Sequence, residues 1–208
     1  TAKSIDLVDL LCKETVGSSN SLIKSDLVRP DKVVSINGSK IGEGHPSYII
    51  AEIGLNHNGD IELAKQMISQ AHRAGASAAK LQTYKKGRIS PKVRTSRYYE
   101  DLVDTQDSLS DILDKVSFSK EATKELFSYG KKIGITIFST PFDLESLELL
   151  ESLKCPAYKI SSMDIVNHPL IKSVAETGKP VIISTGMSDI SDIQAATDQV
   201  LACGNSQL

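Results

Sequence analysis

Thr136-Ile137-Phe138-Ser139-Thr140, Ala157-Tyr158-Lys159-Ile160-Ser161 and Val181-Ile182-Ile183-Ser184-Thr185 are three short runs rich in β-branched and aromatic residues, and each ends on a hydroxyl. Stretches of helical period separate them, about 144–153 and 168–177, so that the units recur every 21 to 24 residues. Short apolar strands alternating with helices call for βα units on a parallel sheet, because neighbouring parallel strands need a crossover long enough to hold a helix. Working outward, Tyr48–Ile53 and Ala78–Thr83 are runs of the same kind, and further helices are expected at about 61–74, 119–132 and 190–202. The sequence therefore predicts five βα units.

The element boundaries carry their own signals. Asp60 stands before the apolar face Leu63, Met67, Ile68 and Ala71 as an N-cap, and Gly75 follows as a left-handed stop. Ser119 opens the next helix and Gly134 closes it, while Gly178-Lys179-Pro180 ends the fourth and turns the chain into the fifth strand. Val33 to Ile50, with turns at Asn37-Gly38 and Gly42-Glu43-Gly44, reads as a β-hairpin leading into the first strand. Residues 1–32 form an N-terminal extension with a short helix expected over Ile5–Cys12, and 33–208 form the α/β unit. The connection from about Lys85 to Phe118 is far longer than the others, as functional covers often are.

Composition limits the function classes. The chain has 208 residues, 40% hydrophobic and 24% charged, with a net charge of −2, which is enough apolar content for a core and no field to gather nucleic acid or an anionic membrane. No apolar run approaches the roughly 20 residues of a bilayer span. Cys12, Cys155 and Cys203 are isolated, which favours reduced thiols and a cytoplasmic location over a disulfide framework or zinc site. The dinucleotide, P-loop and nucleophile-elbow motifs are missing, as is any local spacing of metal ligands.

In parallel α/β folds the chemistry lies where strands end and loops diverge. There the chain places Glu52, Lys80, Gln82, Thr140, Lys159, Ser162 and Ser184. Lys80 and Gln82 share one strand face, and Lys159 stands in the matching position two strands on. A lysine within an apolar strand is costly unless an anion meets it. For Lys80 alone, a structural pair with Glu52 is the simplest partner; two lysines with several hydroxyls suggest a cradle for phosphate and carboxylate. Each hydroxyl taken singly is as well explained as a helix cap. His57, between Asn56 and Asn58, is either a ligand or a loop residue satisfied by backbone, and His45, His72 and His168 read as structural.

Taken in order, Ala51-Glu52-Ile53-Gly54-Leu55-Asn56-His57-Asn58-Gly59, Lys80-Leu81-Gln82-Thr83, Phe138-Ser139-Thr140-Pro141-Phe142-Asp143, Tyr158-Lys159-Ile160 and Ile183-Ser184-Thr185-Gly186-Met187 resemble the sialic acid synthase family, which comprises the N-acetylneuraminate, legionaminate and pseudaminate synthases. The resemblance spans about residues 34–204. It implies a (β/α)8 TIM barrel, of which this chain would cover about the first five units. It also implies a transferase condensing phosphoenolpyruvate with an N-acetylated hexose, N-acetylmannosamine-like, to give a nonulosonic acid and phosphate by C–O cleavage.

By the same resemblance Lys80, Thr140, Lys159, Ser162 and Ser184 hold phosphoenolpyruvate, Gln82 faces the sugar, and Glu52 lies beside the reacting carbons. Asp164 takes the place of a sugar-contacting Glu, in Ile160-Ser161-Ser162-Met163-Asp164 where neuraminate synthases carry Gly-Ser-Gly-Glu. A divalent metal, Mn or Mg, would be held by two histidines on strands beyond Leu208, an antifreeze-like domain would follow, and the complete enzyme would be a homodimer. On that reading these 208 residues are an inactive portion of a longer enzyme. The alternatives are a Schiff-base aldolase using Lys80 or Lys159, a synthase taking a phosphorylated aldose through Lys85, Lys86 and Arg88, and a non-catalytic anion-binding half-barrel.

Overall fold

A computed structural model describes residues 29–87 and 109–208. The helix expected over Ile5–Cys12, and Arg88 with the Ser/Arg/Tyr-rich run behind it, lie outside the described residues.

Two strands, β1 (Val33–Ile36) and β2 (Ser39–Gly42), form an antiparallel hairpin around Asn37-Gly38, where both residues take positive φ. Five further strands follow: β3 (Ile50–Gly54), β4 (Ala78–Thr83), β5 (Thr136–Pro141), β6 (Tyr158–Ile160) and β7 (Val181–Ile183). They make one parallel sheet in the order β3-β4-β5-β6-β7, so strand order in space is strand order in the chain. The helices are α1 (Ile61–Arg73), α2 (Leu109–Val116), α3 (Lys120–Ile133), α4 (Leu144–Ser152), α5 (His168–Ala175) and α6 (Ile190–Ala202). The alternation read from the sequence is therefore present.

Capping explains the crispness of the helices. Asp60 accepts from the Glu62 and Leu63 amides at the start of α1, and Ser119 accepts from Ala122 at the start of α3. Gly134 closes α3 with φ +86°, a left-handed position that suits glycine. Asp143 and Asp189 cap α4 and α6, the latter in a capping box with Asp192. The hydroxyls of Thr140 and Ser184 are thus not the caps of these helices.

Strand alternation sorts the side chains. Ala79, Leu81 and Ile137 pack outward against Ala64, Ile68 and Leu126 of α1 and α3. Glycine at 130 allows α3 to lie this close, since a Cβ there would come within 2.2 Å of Ile137 Cγ1. A second cluster joins Tyr158, Ile160 and Val181 to Leu150, Leu170, Ile171, Val174, Ala196 and Val200 of α4, α5 and α6. The hairpin covers the opposite end of the sheet from the site: Ile36 is buried in the cluster that holds Ala78 and Phe138, and Asn37 Nδ2 donates to Thr136 Oγ1 at 3.1 Å.

Several strand ends shift by one or two residues from the expectation, β5 running on to Pro141 and β6 spanning only Tyr158–Ile160. β3 begins at Ile50 rather than Tyr48, its pairing with β4 starting at Ile50↔Ala78, while the Ile49 carbonyl accepts from the Ser77 and Ala78 amides. β7 stops at Ile183, since its pairing with β6 ends at Ile160↔Ile183 and the Ser184 amide makes a last bond to the Ile160 carbonyl. Ser184 and Thr185 consequently belong to the loop.

Candidate active site

The site lies on the face turned away from the helices, at the carboxyl ends of the strands. β3 pairs Glu52 with Lys80 of β4, and β4 in turn pairs Gln82 with Thr140 of β5. Paired residues of parallel strands project to the same side, which brings these four together. Ser139, one position before Thr140, points to the helix side, where its hydroxyl meets that of Thr83 at 2.8 Å.

Lys80 is 7% exposed, and its Nζ stands 2.6 Å from Glu52 Oε2 and 3.3 Å from Thr140 Oγ1. The Glu52 side chain is 53% exposed, so the ion pair is buried at its cation and open at its anion. Lys159 Nζ donates to Ser184 Oγ and, at 3.0 Å, to the Ile160 carbonyl. Burial pushes the Lys159 ammonium down to about 8, the charge of Lys80 adds to this, and Glu52 partly opposes it. Two ammonium groups therefore feel one another across the site, and Glu52 is the carboxylate that pairs with Lys80 and opposes the shift at Lys159. An incoming dianion would find two cations, two hydroxyls and a surplus of positive charge.

Register corrects one expectation. Ser139 pairs with Tyr158, which puts Lys159 level with Thr140 and Gln82, one pleat beyond Lys80 rather than in the position matching it. Gln82 converges on Glu52 over the backbone of Gly54: a Cβ at Gly54 would lie 3.3 Å from Glu52 Oε1 and 3.8 Å from Gln82 Nε2. Ser162 opens a 3-10 turn, Ser162–Asp164, and the loop after β7 approaches it, a Cβ on Gly186 being 3.8 Å from the Ser162 hydroxyl. Asp164 is 4% exposed and accepts from Asn167 Nδ2 at 3.3 Å, while Asn167 caps α5. This contact ties Asp164 to the start of α5.

His57 resolves toward the loop reading. It is 1% exposed, its Nδ1 accepts from the Gly59 amide at 3.0 Å, and its ring stacks on Phe118 with centroids 4.1 Å apart. Burial holds the imidazole below its ordinary range, against an opposing pull from the Gly54 backbone. The Phe118 partner was not foreseen; its only signal in the sequence is an aromatic residue immediately before the Ser119 cap. His45, His72 and His168 are exposed. Among the described residues no group of three or more His, Cys, Asp or Glu side chains is placed to hold a metal ion. Nor is any helix among them long and apolar enough to cross a membrane. Cys155 and Cys203 are free thiols, and burial pushes that of Cys155 up to about 12.

A sequential parallel α/β sheet whose strand ends bring together Lys80, Lys159, Thr140 and Ser184 defines an α/β protein with a cationic, hydroxyl-lined rim. Residues 67–208 match the NeuB family, and the chain belongs to it. It is 41% identical over 149 residues to the N,N'-diacetyllegionaminic acid synthase of Campylobacter jejuni, covering 71% of this chain and 45% of that protein. It is 40% identical over 157 residues to the pseudaminic acid synthase of Helicobacter pylori, covering 73% and 45%. A crystal structure of N-acetylneuraminic acid (sialic acid) synthetase from Leptospira borgpetersenii, in complex with citrate, superposes with a TM-score of 0.72 at 30% identity over 86% of this chain and 58% of that one. The chain thus spans less than half the length of these curated relatives.

Proposed function

We propose that the protein carrying this chain condenses phosphoenolpyruvate with an N-acetylated hexose to form a nonulosonic acid and phosphate. The observation that carries this reading is the pair Lys80 and Lys159, a buried and a half-buried ammonium group that both feel the carboxylate of Glu52. Phosphoenolpyruvate brings the missing negative charge on two groups, a phosphate and a carboxylate. Thr140, Ser162 and Ser184 add hydroxyl donors, and Gln82 and Asp164 are assigned to the sugar side.

In this reaction C3 of phosphoenolpyruvate forms a bond to the aldehyde carbon, water adds at C2, and the C2–O bond breaks to release phosphate. The role of the lysines is electrostatic: they neutralise the phosphate and carboxylate as charge moves onto the leaving group. Glu52, held by Lys80 and open to solvent, is the group placed to orient the water. The described residues do not make a metal site, so a divalent ion such as Mn or Mg would take its ligands from elsewhere in the protein. The remaining proposals are closure of the sheet into a (β/α)8 barrel, a cytoplasmic location and a homodimer.

The test is direct. The protein carrying this chain is incubated with phosphoenolpyruvate, a divalent metal and, in turn, N-acetylmannosamine and diacetamido sugars. Phosphate release and the mass of the nonulosonic acid are then measured; release with none of the sugars refutes the reading. The low ammonium range of Lys159 favours one competitor, a Schiff-base aldolase, and borohydride trapping with pyruvate distinguishes it by covalent labelling at Lys159.

A further inference from the structure

The geometry points to His57 as a positioning residue that fixes Glu52 and Gln82 by clamping the loop after β3 against the segment between α2 and α3. The ring is buried, and with Nδ1 engaged by the Gly59 amide its single proton belongs on Nε2. One face of the ring carries Phe118 at 4.1 Å. Gly59 is pressed against the same segment: a Cβ there would stand 2.7 Å from the Lys115 carbonyl, at a residue whose φ is +78°. No side chain fits at position 59.

The α2 segment is held from the β4 side as well. Tyr84 Oη donates to the Leu113 carbonyl at 2.8 Å, and the Gly87 amide donates to Asp114 Oδ1 at 2.8 Å. Tyr84 follows β4 directly and packs edge-on against Phe142 after β5. Segment 113–118 therefore bridges the exits of β3 and β4, the strands that deliver Glu52 and Gln82. The convergence point of those two side chains, Gly54, lies three residues before His57 and takes φ +55°. Its neighbour in the chain, Ile53, receives the Asn56 side-chain amide at 3.0 Å, so the turn from Gly54 to Gly59 is bonded at both ends.

What His57 supplies is thus an acceptor at one fixed point, a flat face beside it and a ring N–H toward the Gly54 backbone, and substitution can separate the first two. An Asn side chain puts an acceptor near the Nδ1 position and lacks the ring; a Phe keeps the ring and lacks the acceptor; a Gln puts its amide near the Nε2 position. The inference builds on the synthase reading above, since it names the residues whose placement His57 controls.

The experiment uses the protein carrying this chain, with phosphate release as the rate and each substrate varied in turn. His57→Ala is expected to lower kcat by tenfold or more, on the order of a hundredfold if the rim shifts by about 1 Å, while KM for phosphoenolpyruvate stays within about threefold. His57→Asn is expected to recover most of that loss, and His57→Phe and His57→Gln are not. Recovery by His57→Phe but not by His57→Asn would mean the ring only fills space and would overturn the proposal, as would equal losses in kcat and phosphoenolpyruvate affinity in every variant. Hydrogen exchange at the Gly59 amide reads the clamp without turnover: fast exchange in the unsubstituted protein refutes it even if activity is present. Slow exchange with no condensation of any sugar refutes the synthase reading and leaves the clamp standing.

Discussion

Raising the pH from 7 to 9 should weaken phosphoenolpyruvate binding about tenfold through one group, Lys159. Its ammonium is pushed down to about 8, chiefly by burial and next by Lys80. Bound phosphate and carboxylate would hold the proton on, so only the free protein titrates in this window. A group with that pKa is about nine-tenths protonated at pH 7 and about one-tenth at pH 9, and affinity that requires the cation falls by the ratio of the two, about tenfold. The ligand adds little, since a phosphate ester of second pKa near 6 is already dianionic at pH 7.

Isothermal titration calorimetry at half-unit steps measures this, with Lys159→Arg as the control because guanidinium stays charged throughout. The fold should respond with the opposite sign. Between about 8 and the ordinary lysine value the unfolded chain binds the proton that the folded chain has lost, so stability rises with pH across that interval. A wild-type affinity that is flat from pH 7 to 9, or an equally steep fall in Lys159→Arg, would refute the assignment of a desolvated, phosphate-facing ammonium to this residue.

Removing the other cation is a blunter test: Lys80→Ala deletes a charge-assisted contact worth roughly 1.5–3 kcal/mol, so the phosphoenolpyruvate constant should rise tenfold or more in steady-state kinetics. Gln82→Ala should raise the sugar constant and Ser184→Ala the phosphoenolpyruvate constant, because one side chain converges on Glu52 over Gly54 and the other receives Lys159 Nζ. A Gln82→Ala effect confined to phosphoenolpyruvate would invert that layout. Gly130→Ala would ordinarily favour a helix, yet its Cβ would meet Ile137 Cγ1 at 2.2 Å and the Ile135 carbonyl at 3.2 Å. Overpacking should dominate and cost about 1–3 kcal/mol in denaturant unfolding, with partial recovery in the double variant carrying Ile137→Val.

The elements were legible because their signals are local. Asp60, Ser119 and Gly134 each act within one turn of helix, and the sequence put all three at the boundaries they occupy. The Glu52–Lys80 pair was also readable, since a buried strand lysine next to a strand carrying a glutamate has few other partners. Register was not readable. Lys159 was expected in the position matching Lys80 two strands on, but β5 and β6 pair through Ser139↔Tyr158, and nothing in the spacing along the chain encodes that offset. The same holds for Phe118, whose contact with His57 spans 61 residues and depends on the path of the long connection.

The order of strands in the sheet bears on how the chain is made. Every parallel strand pairs with the one synthesised just before it, so a nascent polypeptide leaving the ribosome can add each strand to an existing edge without displacing another. The waiting times are unequal: Ser139 finds Tyr158 after 19 residues and Tyr158 finds Val181 after 23, whereas Ala78 must wait 58 residues for Thr136. At about 5–20 residues per second the edge of β4 stays open for seconds, the longest wait among these pairings during translation. Chaperone capture of stalled chains should accordingly be strongest for those ending between Thr83 and Thr136.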